Sequence, residues 1–79
     1  MKITYDPKYN IAYLALKEKT GNVNSIKISE EIIVDIAEDG SIYGIELLNA
    51  NEQLNQPDNG KLQFINLLSG NEQEYILPV

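Results

Sequence analysis

Apolar and polar positions alternate along much of this chain, most clearly in residues 32–50, IIVDIAEDGSIYGIELLNA. Two runs rich in β-branched residues flank Asp39-Gly40, the strongest short-range signal for a β-hairpin. With Asp39 and Gly40 as a two-residue loop, opposed positions sum to 79. Ile36 then faces Tyr43, Val34 faces Ile45 and Ile32 faces Leu47. All six are apolar and share one face, as the period of a strand requires. The other face takes Ile33, Asp35, Ala37, Ile42, Gly44, Glu46 and Leu48, a mixed set.

The same reading extends in both directions. Lys2–Asp6 alternates Ile3 and Tyr5 against polar neighbours, and Asp6-Pro7 ends that strand because proline donates no amide. Ile11–Lys17 follows. A loop over Pro7–Asn10 sets Tyr5 opposite Ala12 and Ile3 opposite Leu14; a five-residue loop is the other option. Residues 19–25 are polar and turn-forming, Ile26 and Ile28 mark a short strand, and Ser29-Glu30-Glu31 is a break or bulge. Beyond Leu48 the pattern changes. Asn49 or Asn51 is placed to cap one helical turn carrying Leu54, and Pro57 ends it. Residues 62–68 have both strand and helical spacing. Two β-rich runs around a Gly-Asn turn favour a third hairpin there, with a short helix as the alternative. The fold expected is mainly β, an antiparallel meander of β-hairpins with at most one short helical segment near 49–56. Residues 1–79 form a single domain, in which 1–50 are a hairpin core and 51–79 add a turn and a further hairpin. Its core centres on Ile32, Val34, Ile36, Tyr43, Ile45 and Leu47, beside Ile3, Leu14 and Leu16, with Tyr5 and Tyr75 at the rim.

Composition narrows the function classes. At 79 residues the chain hides only roughly 60–65% of its unfolded surface. Without cysteine it has no disulfide or thiolate metal site to add to that core. No apolar run reaches a membrane span and no signal-like segment opens the sequence, so a soluble, cytoplasmic protein is expected. The net charge is −6; all six cations are lysine, and arginine and histidine are absent. Direct nucleic-acid binding requires a basic face and normally arginine forks, so it is not expected. A basic protein partner fits the charge better, although acidity serves solubility first.

Two stretches, MKITYDPKYNIAYLAL and EEIIVDIAEDGSIYGIELLNA, together resemble the prokaryotic domain of unknown function 2283 family. Its members open with a K-I-x-Y-D strand, continue with a D-A-L-Y-I-like strand and centre on a D-x-D-x-x-G-x-x-x-G-I-E-I hairpin. The matching positions are Ile3, Tyr5, Asp6, Ala12, Tyr13, Leu14, Asp35, Gly40, Gly44, Ile45 and Glu46, while Asn10-Ile11 departs from the family's Asp-Ala. The resemblance covers roughly residues 1–50. It implies a small β-rich domain without assigned activity. Some relatives look like the smaller member of two-gene, toxin–antitoxin-like pairs.

Candidate chemistry is sparse. Nucleophilic catalysis lacks cysteine and histidine, and no serine or threonine has an evident base. No phosphate-cradling glycine motif is present. Asp35 and Glu46 are diagonal neighbours on the mixed face and could share a divalent cation, but two ligands make a poor site; a solvated face or pairing with lysine is the plainer reading. Gly44, in mid-strand, points to a bulge or a close approach of another backbone. Tyr9 and Tyr13 are the aromatic candidates for an interaction surface, together with Asp35 and Glu46. The expectation is a non-enzymatic protein-interaction module, antitoxin-like in role, without metal or cofactor. The alternative is a small ligand- or cation-binding protein or enzyme using Asp35 and Glu46. Apolar residues on both sheet faces (Ile33, Ile42, Leu48, Ile11, Tyr13 and Ala15 on the second) also predict a homodimer.

Overall fold

The structure, a computed structural model, describes all 79 residues. Seven strands and one short helix follow in order: β1 (Lys2–Asp6), β2 (Ile11–Ala15), β3 (Val23–Ser29), β4 (Ile32–Ala37), β5 (Ile42–Leu48), α1 (Ala50–Leu54), β6 (Lys61–Ile65) and β7 (Glu72–Ile76). The first five form one antiparallel sheet in the order β1-β2-β5-β4-β3, and β6-β7 form a separate two-stranded sheet. The mainly β, hairpin-built fold read from the sequence is the fold observed.

The first hairpin has the register expected of a Pro7–Asn10 loop, with Tyr5 opposite Ala12 and Ile3 opposite Leu14. Its turn is set by polar side chains. The Asp6 carboxylate accepts the Lys8 amide at 2.9 Å, and Asn10 takes the left-handed backbone conformation at φ 56°. Asn10 also caps α1. Its Oδ1 accepts the Asn51 amide at 2.9 Å, and its carbonyl accepts the Ala50 amide at 3.0 Å. The expected cap by Asn49 or Asn51 is therefore corrected. Asn49, left-handed at φ 51°, makes no side-chain cap bond; the helix's free amides are met by a turn that lies forty residues earlier.

The central hairpin is correct in register but not in its turn. Ile32 faces Leu47 and Val34 faces Ile45, yet Ile36 faces Ile42 and not Tyr43. The loop is three residues, Glu38-Asp39-Gly40. The Gly40 amide bonds the Ala37 carbonyl at 3.0 Å, the Ala37 amide bonds the Ser41 carbonyl at 2.8 Å, and Gly40 is left-handed at φ 88°. This turn shifts the ladder by one residue, and an extra residue at Tyr43 shifts it back. Directly opposed residues share a face, so Ile42 takes the place opposite Ile36 expected of Tyr43. Tyr43 is only 4% exposed, beneath the β2–β3 loop, where Lys17 lies 5.2 Å from its ring. Around Gly40 a Cβ would meet nothing within 4 Å, so the cost of substitution there is conformational. Gly40→Ala should lower stability by about 1 kcal/mol and Gly40→Asn by less, because asparagine tolerates this region; urea midpoints check the order.

The tail resolves to strand and turn. Residues 62–65 are strand, whereas Leu67 and Leu68 sit in a turn nucleated by Asn66, whose side chain accepts the Leu68 and Ser69 amides. Every residue of β6 and β7 is exposed, so this hairpin packs against neither face of the main sheet. Tyr75, expected at the core rim, is exposed with it.

The sheet thus has one apolar face. Ile3, Leu14, Ile45, Val34 and Ile26 form a row across all five strands, and Tyr5, Ala12, Leu47 and Ile32 form the next. Leu54 and the terminal residues Leu77, Pro78 and Val79 cover the β1–β2 end around a cavity of about 200 Å³. Toward β3 the face stays half-exposed. Only Ala12, Tyr43 and Ala50 among the apolar residues are buried, so the expected core is a single layer open on one side.

Candidate functional site

The opposite face carries the one buried acid of the protein. Asp35, 7% exposed, sits in the middle of β4 with Ser25 of β3 and Gly44 of β5 directly opposite on either side. Its Oδ1 accepts the Ser25 hydroxyl at 2.6 Å, and its Oδ2 accepts the Tyr13 hydroxyl at 2.8 Å. Lys19, from the β2–β3 loop, brings its ammonium within 2.9 Å of the same Oδ2 and 4.8 Å from the centre of the Tyr13 ring. Gly44 makes this possible. Tyr13 stands opposite Glu46, and its ring crosses the Gly44 position to reach Asp35; a Cβ there would lie 2.6 Å from the Tyr13 Cζ and Oη and 2.5 Å from the Leu14 carbonyl oxygen. The mid-strand glycine is thus a passage for a side chain, one residue from the Tyr43 bulge.

Burial opposes the charge on Asp35, but the bonds from Ser25, Lys19 and Tyr13 outweigh it and hold the carboxyl below the ordinary carboxylate range. Burial, then the adjacent carboxylate, pushes the Tyr13 hydroxyl up. The bond to Asp35 likewise raises Lys19 despite desolvation. At neutral pH the cluster is therefore carboxylate, ammonium and neutral phenol, with no group poised near 7 to act as general base. Every buried side-chain nitrogen and oxygen in the protein has a partner. Chemically, this arrangement ties a loop to three strands.

Asp35 and Glu46 have the expected diagonal placement but are not joined. Tyr13 runs between them, and Asp35 is occupied by its own partners. No group of three or more His, Cys, Asp or Glu is arranged to hold a metal ion. Tyr9 is exposed in the β1–β2 turn with Lys8 5.2 Å from its ring, whereas Tyr13 is committed to Asp35, so the two tyrosines do not share a surface. None of the surface concavities includes Asp35, Tyr13, Glu46 or Tyr9. Sequence reasoning missed Ser25 and Lys19. A two-residue turn at Glu30-Glu31 alone would set Ser25 opposite Ile36, and only the extra residue at Ile28 moves it opposite Asp35; Lys19 carries no periodic signal.

The paired strands, the glycine passage and the buried Asp35 describe a small, mainly β, antiparallel fold. A family model described as a protein of unknown function (DUF2283) matches residues 2–51, and the chain belongs to that family. The match takes in the five-stranded sheet and ends in α1; the β6–β7 hairpin lies beyond it. No curated protein and no solved structure matches the chain. No helix is long and apolar enough to cross a membrane.

Proposed function

We propose that the chain is a non-enzymatic protein-interaction module, antitoxin-like in role and suited to a basic protein partner. The observation that carries this reading is the uncovered apolar surface. Ile26 and Ile28 on the sheet, and Phe64, Leu67 and Leu68 on the projecting hairpin, are exposed in a chain that buries very little. Exposed apolar surface of this kind is used for protein contacts. The net charge of −6 supports a basic partner, since complementary fields speed encounter. The cation-binding or enzymatic alternative gains nothing from Asp35, whose oxygens Tyr13, Ser25 and Lys19 already engage.

Affinity capture from the native host, with mass spectrometry, tests the proposal. The expected result is a basic protein retained at low salt and released as salt screens the charges. If no protein is retained, and Ca²⁺ or Mg²⁺ raises the melting temperature in a manner abolished by Glu46→Gln, the reading reverses.

A further inference from the structure

We infer that the open apolar face of the sheet, around Val34, Ile45, Ile26 and Ile36, is occupied by a second copy of this chain. This deepens the proposal above by naming the occupant of one surface, and it rests on reading that surface as an interface.

Three observations favour a copy. The first is area. A compact monomer of 8.9 kDa exposes roughly 4,800 Å², whereas this chain exposes 5918 Å². The excess, roughly 1,100 Å², is shared between the projecting β6–β7 hairpin and the open sheet face, and it leaves room for the ~800 Å² that one partner contributes to a standard interface. The second is shape. The radius of gyration is 14.1 Å against roughly 11.6 Å for a compact domain of this length, and the smallest extent is 19 Å. The sheet is a layer lacking its opposite layer, and two sheets pack face to face about 10 Å apart.

The third is charge, and it selects the partner. Opposed strand residues share a face, so the register places Lys2, Asp6, Lys27, Asp35 and Glu46 together on the side of Tyr13. Every charged residue of the five strands is among them. The open face has none. A basic partner finds no charge complementarity on this face. Two copies, each at −6, repel least when they meet through the one face without charge. Sheet-on-sheet packing about a two-fold axis makes the same patch serve both sides.

The site differs from the second face that the sequence suggested for a dimer. There, Tyr13 is tied to Asp35, and Lys19 of the β2–β3 loop lies over its ring.

Light scattering of the full chain at about 50 µM, with thermal melts across a hundredfold concentration range, tests the inference. The expected mass is twice that of one chain, and the melting temperature rises with concentration. Ile26→Glu, at a position already 40% exposed, should weaken dimerisation roughly tenfold or more while circular dichroism retains its β signature. Ile33→Glu on the charged face should leave the mass at two chains. Should Ile26→Glu fail to fold, the concentration dependence of the wild-type melt decides alone. A one-chain mass with a concentration-independent melt overturns the inference, as it would if the chain's own β6–β7 hairpin covered the face. Dissociation by Ile33→Glu but not by Ile26→Glu also overturns it. A one-chain protein that still captures a basic partner defeats only the dimer; one that captures nothing defeats the interaction reading as well.

Discussion

Gly44→Ala is expected to lower stability by about 3 kcal/mol at fixed protein concentration, the largest effect of any single methyl addition in the sheet. The added carbon would lie 2.5 Å from the Leu14 carbonyl oxygen and 2.6 Å from the Tyr13 ring. The ring can swing away, but then Asp35 loses the Tyr13 hydroxyl, at a net cost of about 1 kcal/mol. The carbonyl is backbone and moves only if β2 shifts against β5, and forced overpacking of this kind costs about 1–3 kcal/mol. A double-mutant cycle separates the two contacts. If the ring dominates, Tyr13→Ala in the Gly44→Ala background recovers part of the loss; if the carbonyl dominates, it recovers nothing. Urea denaturation at one protein concentration provides the measurement. A loss below about 0.5 kcal/mol would show that Tyr13 does not cross the strand at this glycine.

The same residues show how far the sequence reached. The register of β4 on β5 was legible because Ile32, Val34, Ile45 and Leu47 must share a face, and a slip of one residue would turn them all over. The turn was misread by one residue because Asp-Gly suits both a two-residue loop and a three-residue loop with glycine left-handed at its end. Tyr43 hid the error by adding a residue in the opposite sense, so the distant pairs agree with either turn. The buried character of Asp35 was not legible. It depends on Ser25, brought opposite by a hairpin with its own bulge at Ile28, and on Lys19, delivered by a loop without periodicity. In the tail the hairpin was legible from its turn residues. That it stands away from the sheet was not, because local patterning specifies which face is apolar but not what comes to cover it.

The second large effect expected is that of Asp35→Asn, and it depends on pH. At pH 7 the amide keeps the size of the side chain but loses the charge that binds Lys19, and it cannot accept from Tyr13 and Ser25 as the carboxylate does. A loss of about 2 kcal/mol follows from those weakened bonds, with Lys19 contributing little because its side chain is half-exposed. The Asp35 carboxyl lies below its unfolded-state value in the folded protein, as its three donors outweigh the burial that opposes its charge. Its contribution is therefore fully present above about pH 4, the unfolded-state value, and is lost as pH falls through the lower folded-state value. Tyr13 and Lys19 are displaced upward, so their contributions hold below about pH 10 and are lost as pH rises through their folded-state values. Asp35→Asn removes the titrating carboxyl itself, the main cause of the Lys19 shift and the second cause of the Tyr13 shift, while the burial that raises Tyr13 most remains. The wild-type stability profile should fall at both ends, while that of the variant is lower at neutral pH and flatter toward each extreme. A residual acid slope remains in the variant from Asp39, which its bonds to Ser41 hold below the ordinary range. Equilibrium unfolding from pH 2 to 11 at constant ionic strength distinguishes the cases. Two profiles that run parallel would mean that Asp35 is not the anchor joining Tyr13, Ser25 and Lys19, whereas convergence at both ends would establish that it is.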